Sequence, residues 1–268
     1  MIWNAKNGAA ALDGDTMHYV SFGRGEKALV LLPGLSDGLA TVKNKALLLA
    51  APYRLFFENY TVYMFSRRDH LPRGCTIRDM ARDQAAALDA LGIGHASVLG
   101  VSQGGMIAQY LAADHPDKVD NLVLAVTAPR CNEIAAGCLH RWIGFAGRGD
   151  HRGLMIDTAE RSYSEARLRK YRRLYPILGH IGKPKSYDRF LTSAEAILSF
   201  DATEDLDRIV CPTLILGGGE DKVVGAQASY ELNARIRGSA LHVYPGLGHA
   251  AYEEAPDFDR RIFAFLED

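Results

Sequence analysis

Short, almost uninterrupted apolar runs recur along most of this chain, separated by longer stretches of helical periodicity, and that alternation constrains the fold more than anything else in the sequence. Residues 28–32 (Ala-Leu-Val-Leu-Leu) end at Pro33-Gly34, and residues 61–65 (Thr-Val-Tyr-Met-Phe) run into a charged stretch expected to be a loop. Residues 96–99, 122–126, 213–216 and 241–244 are of the same kind. Between them, Thr76 stands as an N-cap with Asp79 three residues on, and Ile77, Met80, Ala81, Ala85, Leu88 and Leu91 share one helical face. Residues 106–113 form a second helical pattern. Apolar strands without polar alternation are buried on both faces, so the expectation is an α/β fold with a mostly parallel central sheet and helices on both sides. Ligands of such sheets sit beyond the carboxyl ends of the strands, and the loops there are where chemistry is sought.

The pattern breaks once. Between residues 130 and 200 the strand signal disappears, and the segment carries 13 Lys+Arg against 7 Asp+Glu while the whole chain has a net charge of −1. We expect a helical cap inserted between a first part of the core (1–129) and a second (201–268), packed over the ligand edge. Leu168, Tyr171, Leu174 and Tyr175 are expected on one side of a helix there, and Trp142, Phe145, Tyr171 and Tyr175 are candidates for a pocket wall. The near-zero net charge argues against a dedicated nucleic-acid binder. No apolar run approaches membrane-spanning length, and the first residues lack a basic-then-apolar leader, so a cytoplasmic protein with no membrane partner is expected. Cys75, Cys131, Cys138 and Cys211 show no paired spacing, which points to neither a disulfide framework nor a metal knuckle.

Gly100-Val101-Ser102-Gln103-Gly104 fits G-x-S-x-G and lies between a strand and a helix. Such a turn needs small neighbours, lifts the hydroxyl clear of the sheet and sets it near a helix N-terminus, where developing negative charge is favoured. A serine hydroxyl needs a base to become nucleophilic. His249, after the last strand and approached through Gly246 and Gly248, is the best placed of the nine histidines; His70, beside Asp69, is its rival. A carboxylate should orient the imidazole. Asp221 and Glu220 both follow the strand at 213–216 through three glycines, and spacing alone leaves that choice open. The backbone amides of Gln103 and Leu35 are the expected oxyanion donors, since Pro33 has no N–H to give.

Taken together, these segments resemble the α/β-hydrolase superfamily, whose chain order is Ser…Asp/Glu…His. Gly100–Ala108 is similar to the family's nucleophile turn and helix, and His115-Pro116-Asp117-Lys118-Val119 to its next helix-to-strand junction. Gly218-Gly219-Glu220-Asp221 resembles the G-x-x-D acid loop, which favours Asp221 over Glu220. Gly248-His249 with Glu254 and Pro256 is similar to the ending G-H-x-x-x-x-E-x-P, which favours His249 over His70. Three departures stand out. Pro33-Gly34 replaces the usual His-Gly, Val223-Val224-Gly225 stands where a proline is common after the acid, and Ser66-Arg67-Arg68-Asp69-His70 replaces D-x-R-G-x-G. The resemblance implies a serine hydrolase of a small carboxylic ester or lactone, acting on a small molecule with Ser102, His249 and Asp221 and needing neither metal nor organic cofactor. The same residues also suit C–C bond hydrolysis, thioester hydrolysis or acyl transfer, and the scaffold alone suits a ligand receptor.

Overall fold

The computed structural model describes residues 2–268. Eight strands, β1 (Lys6–Leu12), β2 (Asp15–Gly23), β3 (Lys27–Leu32), β4 (Tyr60–Arg68), β5 (Ala96–Val101), β6 (Val119–Ala125), β7 (Thr213–Gly218) and β8 (Ala240–Tyr244), form one sheet in the order β1-β2-β4-β3-β5-β6-β7-β8. From β4 to β8 every neighbouring pair is parallel. The pairs β1–β2 and β2–β4 are antiparallel. The apolar runs are the parallel strands: Leu29, Val98, Leu122 and Val123 are fully buried, as strands covered on both faces must be.

Among the described residues ten α-helices accompany the sheet: α1 (Ala46–Ala50), α2 (Ile77–Ala90), α3 (Gln103–Asp114), α4 (Glu133–Gly147), α5 (His151–Ser162), α6 (Glu165–Tyr171), α7 (Asp188–Leu198), α8 (Gln227–Arg235), α9 (Ala251–Glu254) and α10 (Phe258–Glu267). One face of the sheet packs against α2, α3 and α8, through residues such as Met80, Leu88, Met106, Ile107 and Leu232. The other packs against α1, the 3₁₀ segment Ala51–Phe56, α9 and α10, through Ala50, Phe56, Ala251, Phe258 and Ile262. Thr76 and Asp79 form a reciprocal capping box at the start of α2, satisfying two amides that the helix itself cannot.

Two readings of the sequence need correction. The charged stretch after residue 65 is not all loop: β4 runs on to Arg68, and Ser66 and Arg67 are buried. The helix expected to carry Leu168, Tyr171, Leu174 and Tyr175 on one face stops at Tyr171, and a turn of 3₁₀ helix follows. Leu168 is buried there but Leu174 is exposed.

Between β6 and β7 the chain makes α4 to α7 and no strand. It leaves and re-enters the core at one point, where Arg130 and Asp201 form an isolated antiparallel bridge and the Ala202 amide donates to the Pro129 carbonyl. Asn132, Asp150 and Ser164 cap α4, α5 and α6 with their own side chains, so these helices close their N-termini locally. Among the described residues no helix is long and apolar enough to cross a membrane.

Candidate active site

The turn from β5 into α3 places Ser102 at φ 54°, ψ −117°, a left-handed conformation that costs a non-glycine residue about 1–3 kcal/mol. Its surroundings hold it there. A Cβ on Gly104 would lie 1.9 Å from the Leu32 carbonyl oxygen, and one on Gly100 would lie 2.5 Å from that of Gly104. The Ser102 amide donates to Ala125 at 2.9 Å, and the Thr127 hydroxyl donates to the Ser102 carbonyl at 2.7 Å. The glycines of the motif are therefore required by backbone packed against backbone, and the strained serine is raised on a rigid base.

The loops after β7 and β8 bring two more groups to it. Ser102 Oγ lies 2.9 Å from His249 Nε2, and His249 Nδ1 lies 2.8 Å from Asp221 Oδ2. The other carboxylate oxygen, Oδ1, accepts the amides of Val223 and Val224 at 2.8 and 2.9 Å. Burial works against the ionised form of Asp221, but the charge of His249 and these three hydrogen bonds outweigh it and hold the carboxyl below the usual range. The acid and base loops interlock: a Cβ on Gly218 would meet the Gly248 carbonyl at 2.2 Å, and the Glu220 amide donates to Leu247. Glu220 itself is exposed. His70 lies elsewhere, with its side chain 91% exposed and its Nδ1 3.1 Å from Asp15 Oδ1.

Gln103 opens α3, where the first amides have no partner within the helix, and Leu35 opens the 3₁₀ turn after β3. Neither amide donates to another described residue. The Leu35 loop reaches the serine, since a Cβ built on Gly34 would lie 3.3 Å from Ser102 Cβ and 3.8 Å from its Oγ.

Beside Ser102 is a narrow cavity of about 20 Å³, walled by Leu35, Met106, Val223 and Val224 from the core and by Ala135, Leu139, Trp142 and Ile197 from the inserted helices. Space of that order holds about one water molecule. Of the aromatic residues expected at the pocket, Trp142 lines this cavity, and its indole N–H donates to Asp157 at 2.9 Å. Phe145 packs on Gly153 and beneath the Arg148 guanidinium, Tyr171 packs at a tilt against Tyr163, and the Tyr175 hydroxyl donates to Glu160. These three do not line it. Ala135 and Leu139 escaped sequence reasoning although they sit two turns and one turn before Trp142 on the same face of α4, a spacing that marks them. Among the described residues no group of three or more His, Cys, Asp or Glu is arranged to hold a metal ion.

Residues 27–256 match the family described as alpha/beta hydrolase fold. The chain belongs to that family. Its relatives include a pimeloyl (acyl-carrier protein) methyl ester esterase of Neisseria meningitidis, 31% identical over 63% of this chain and 69% of the relative. A 3-oxoadipate enol-lactonase of Acinetobacter baylyi is 24% identical over 94% of this chain and 93% of its own. Among solved structures, an α/β-hydrolase enzyme from a Medee basin deep-sea metagenome library superposes with a TM-score of 0.84 at 19% identity, over 97% of this chain and 98% of that one. In this α/β-hydrolase, then, the mostly parallel eight-stranded sheet covered by helices is the fold of the family.

Proposed function

We propose that the protein is a serine hydrolase of small carboxylic esters or lactones, with Ser102 as nucleophile, His249 as general base and Asp221 as the group that orients it. The observation that carries the reading is the unbroken relay Asp221–His249–Ser102, with hydrogen bonds of 2.8 and 2.9 Å on the two sides of one imidazole. Asp221 receives Nδ1–H, which leaves the lone pair of Nε2 facing the serine hydroxyl. As Ser102 Oγ attacks the carbonyl carbon, its proton passes to Nε2. The negative charge forming on the carbonyl oxygen is taken up by the Leu35 and Gln103 amides, donors that spend no hydrogen bond on the protein itself. The imidazolium then protonates the leaving alkoxide, and an acyl group remains on Ser102. Water entering the same position gives a proton to Nε2 and attacks the acyl carbon; as the bond from that carbon to Ser102 Oγ breaks, the imidazolium returns the proton to Oγ and the acid is released. Asp221 stays ionised throughout, in keeping with its lowered pKa.

The small apolar cavity favours a short acyl group, and relatives named as a methyl ester esterase and an enol-lactonase act on that class of bond. Residues 130–200 act as a cap that sets the size of what fits. Purified Ser102→Ala, assayed on acetyl and butyryl p-nitrophenyl esters, should lose about 10⁴- to 10⁶-fold in kcat while keeping its circular dichroism spectrum. An undiminished rate would remove Ser102 from the chemistry.

A further inference from the structure

The residue next behind the two candidate oxyanion amides is a buried arginine, delivered by the end of β4. Arg67 is 2% exposed. One of its nitrogens, Nη2, donates to the Pro33 carbonyl at 2.8 Å and to the Gln103 side-chain oxygen at 2.6 Å. Pro33 begins the loop whose second residue on is Leu35, and Gln103 carries the other free amide. A single guanidinium nitrogen thus ties together the two backbone segments that must converge on one carbonyl oxygen. The Arg67 backbone is held in turn, its amide donating to Asp37 Oδ2 at 3.0 Å.

The clamp extends into the inserted helices. Gln103 Nε2 donates to the Ser193 carbonyl of α7 at 2.8 Å, and Arg189 of α7 donates to Asp37 Oδ2 at 2.9 Å and to the Asp37 carbonyl at 2.7 Å. Asp37 is the only carboxylate in this group, and its side chain is 1% exposed. Two guanidinium groups share it, and Arg67 Nη1 stands 3.4 Å from its Oδ2. One positive charge is left uncompensated at the back of the amides. In an interior of low effective dielectric, that charge favours negative charge forming on an oxygen in front of them.

We propose that Arg67 is a positioning residue for the oxyanion-binding amides, setting the relative placement of the Leu35 and Gln103 N–H groups and biasing the site electrostatically toward the tetrahedral intermediate. This rests on the hydrolase reading above and deepens it. The guanidinium touches no reacting atom; it acts through Pro33 and Gln103. Lysine keeps the charge but carries it on one tetrahedral nitrogen without the planar fork, so it cannot reproduce the bridge together with the Asp37 contact.

The test compares wild type, Arg67→Lys and Gln103→Met in three measurements: kcat and KM on p-nitrophenyl butyrate, inhibition by butylboronic acid, and inhibition by butyramide. Boronic acid becomes tetrahedral and anionic on the serine, whereas the amide is a neutral ground-state mimic. Removing an entire oxyanion donor costs about 10²–10³ in turnover. Displacing two donors without removing either should lower kcat by about 10-fold or more in Arg67→Lys, and by a smaller factor in Gln103→Met. Boronate affinity should fall by the same factor as kcat, with KM and butyramide inhibition held within about twofold. If Arg67→Lys fails to fold, Gln103→Met decides. A lowered melting temperature with unchanged kcat and boronate affinity reduces the network to a structural ion pair and overturns the proposal. Labelling of wild type by a fluorophosphonate probe separates the two levels: labelled wild type with unimpaired variants defeats the role of Arg67 alone, whereas unlabelled wild type defeats the hydrolase reading with it.

Discussion

The carboxyl edge of the sheet and the inserted helices face each other across the candidate site, and they are built to opposite tolerances. On the sheet side, position is fixed by backbone packed against backbone. Gly100, Gly104 and Gly218 each leave no room for a Cβ, the obstructing atoms in all three cases belonging to the main chain of the sheet side itself. On the inserted side, α4, α5 and α6 are capped by their own N-cap side chains, and many of the segment's charges pair with one another at the surface, as Arg172 does with Glu160 and Glu165. Chemistry that fails with a displacement of about 1 Å belongs on the first kind of surface. Away from Arg189, which holds Asp37, the second kind can change its side chains without moving its neighbour, which suits it to setting the size of the space.

Breaking the rigid side should have the larger effect. Gly104→Ala puts a methyl group into the Leu32 carbonyl, so either α3 or the β3 loop must shift. We expect a loss of about 1–3 kcal/mol in urea unfolding and about 100-fold in kcat. Unchanged kcat in a folded variant would show that the turn is softer than its contacts imply. On the other side, Trp142→Ala removes the largest wall residue contributed by the inserted helices. The ratio of kcat/KM for hexanoyl over acetyl esters should rise by about 10-fold or more, and an unaltered ratio would detach α4 from acyl selection. The smallest effect is expected from Arg172→Gln with Arg173→Gln. Arg172 is engaged with two glutamates and both arginines are exposed, so KM for acidic and for neutral esters should change by less than about twofold and in parallel. A selective rise for acidic esters would give this surface a part in attracting substrate.

The same contrast governs how much could be read from sequence. The parallel strands were legible because burial on both faces demands continuous apolar runs, and the serine turn because its glycines are imposed locally. The β1–β2 hairpin was not. β1 is built from Ala, Gly and polar residues, and in β2 polar residues interrupt the apolar Met17, Val20 and Phe22, so a search for continuous apolar runs passes over both. A signal was present nonetheless: Asp13 and Gly14, at φ 46° and 82°, form the two-residue connection that Asp-Gly favours, with Leu12 opposite Asp15. Arg67 escaped for a different reason. In a run of charged residues, nothing local distinguishes the arginine that turns inward from those that stay in solvent; its buried partners Asp37, Gln103 and Pro33 come from other strands and loops. Residues held by chain neighbours can be found in a sequence, whereas those held by distant carbonyls and carboxylates cannot.

The bridge between Arg130 and Asp201 has a consequence of its own. Because the polypeptide departs from the sheet and returns to it through adjacent backbones, a change in the length of the segment between those two points need not alter the strand register on either side. A lineage that trades one set of helices for another must still supply what Arg189 and Ser193 of α7 give to Asp37 and Gln103 if the sheet edge is to stay as it is. For an engineer, the junction marks where a foreign segment should be spliced.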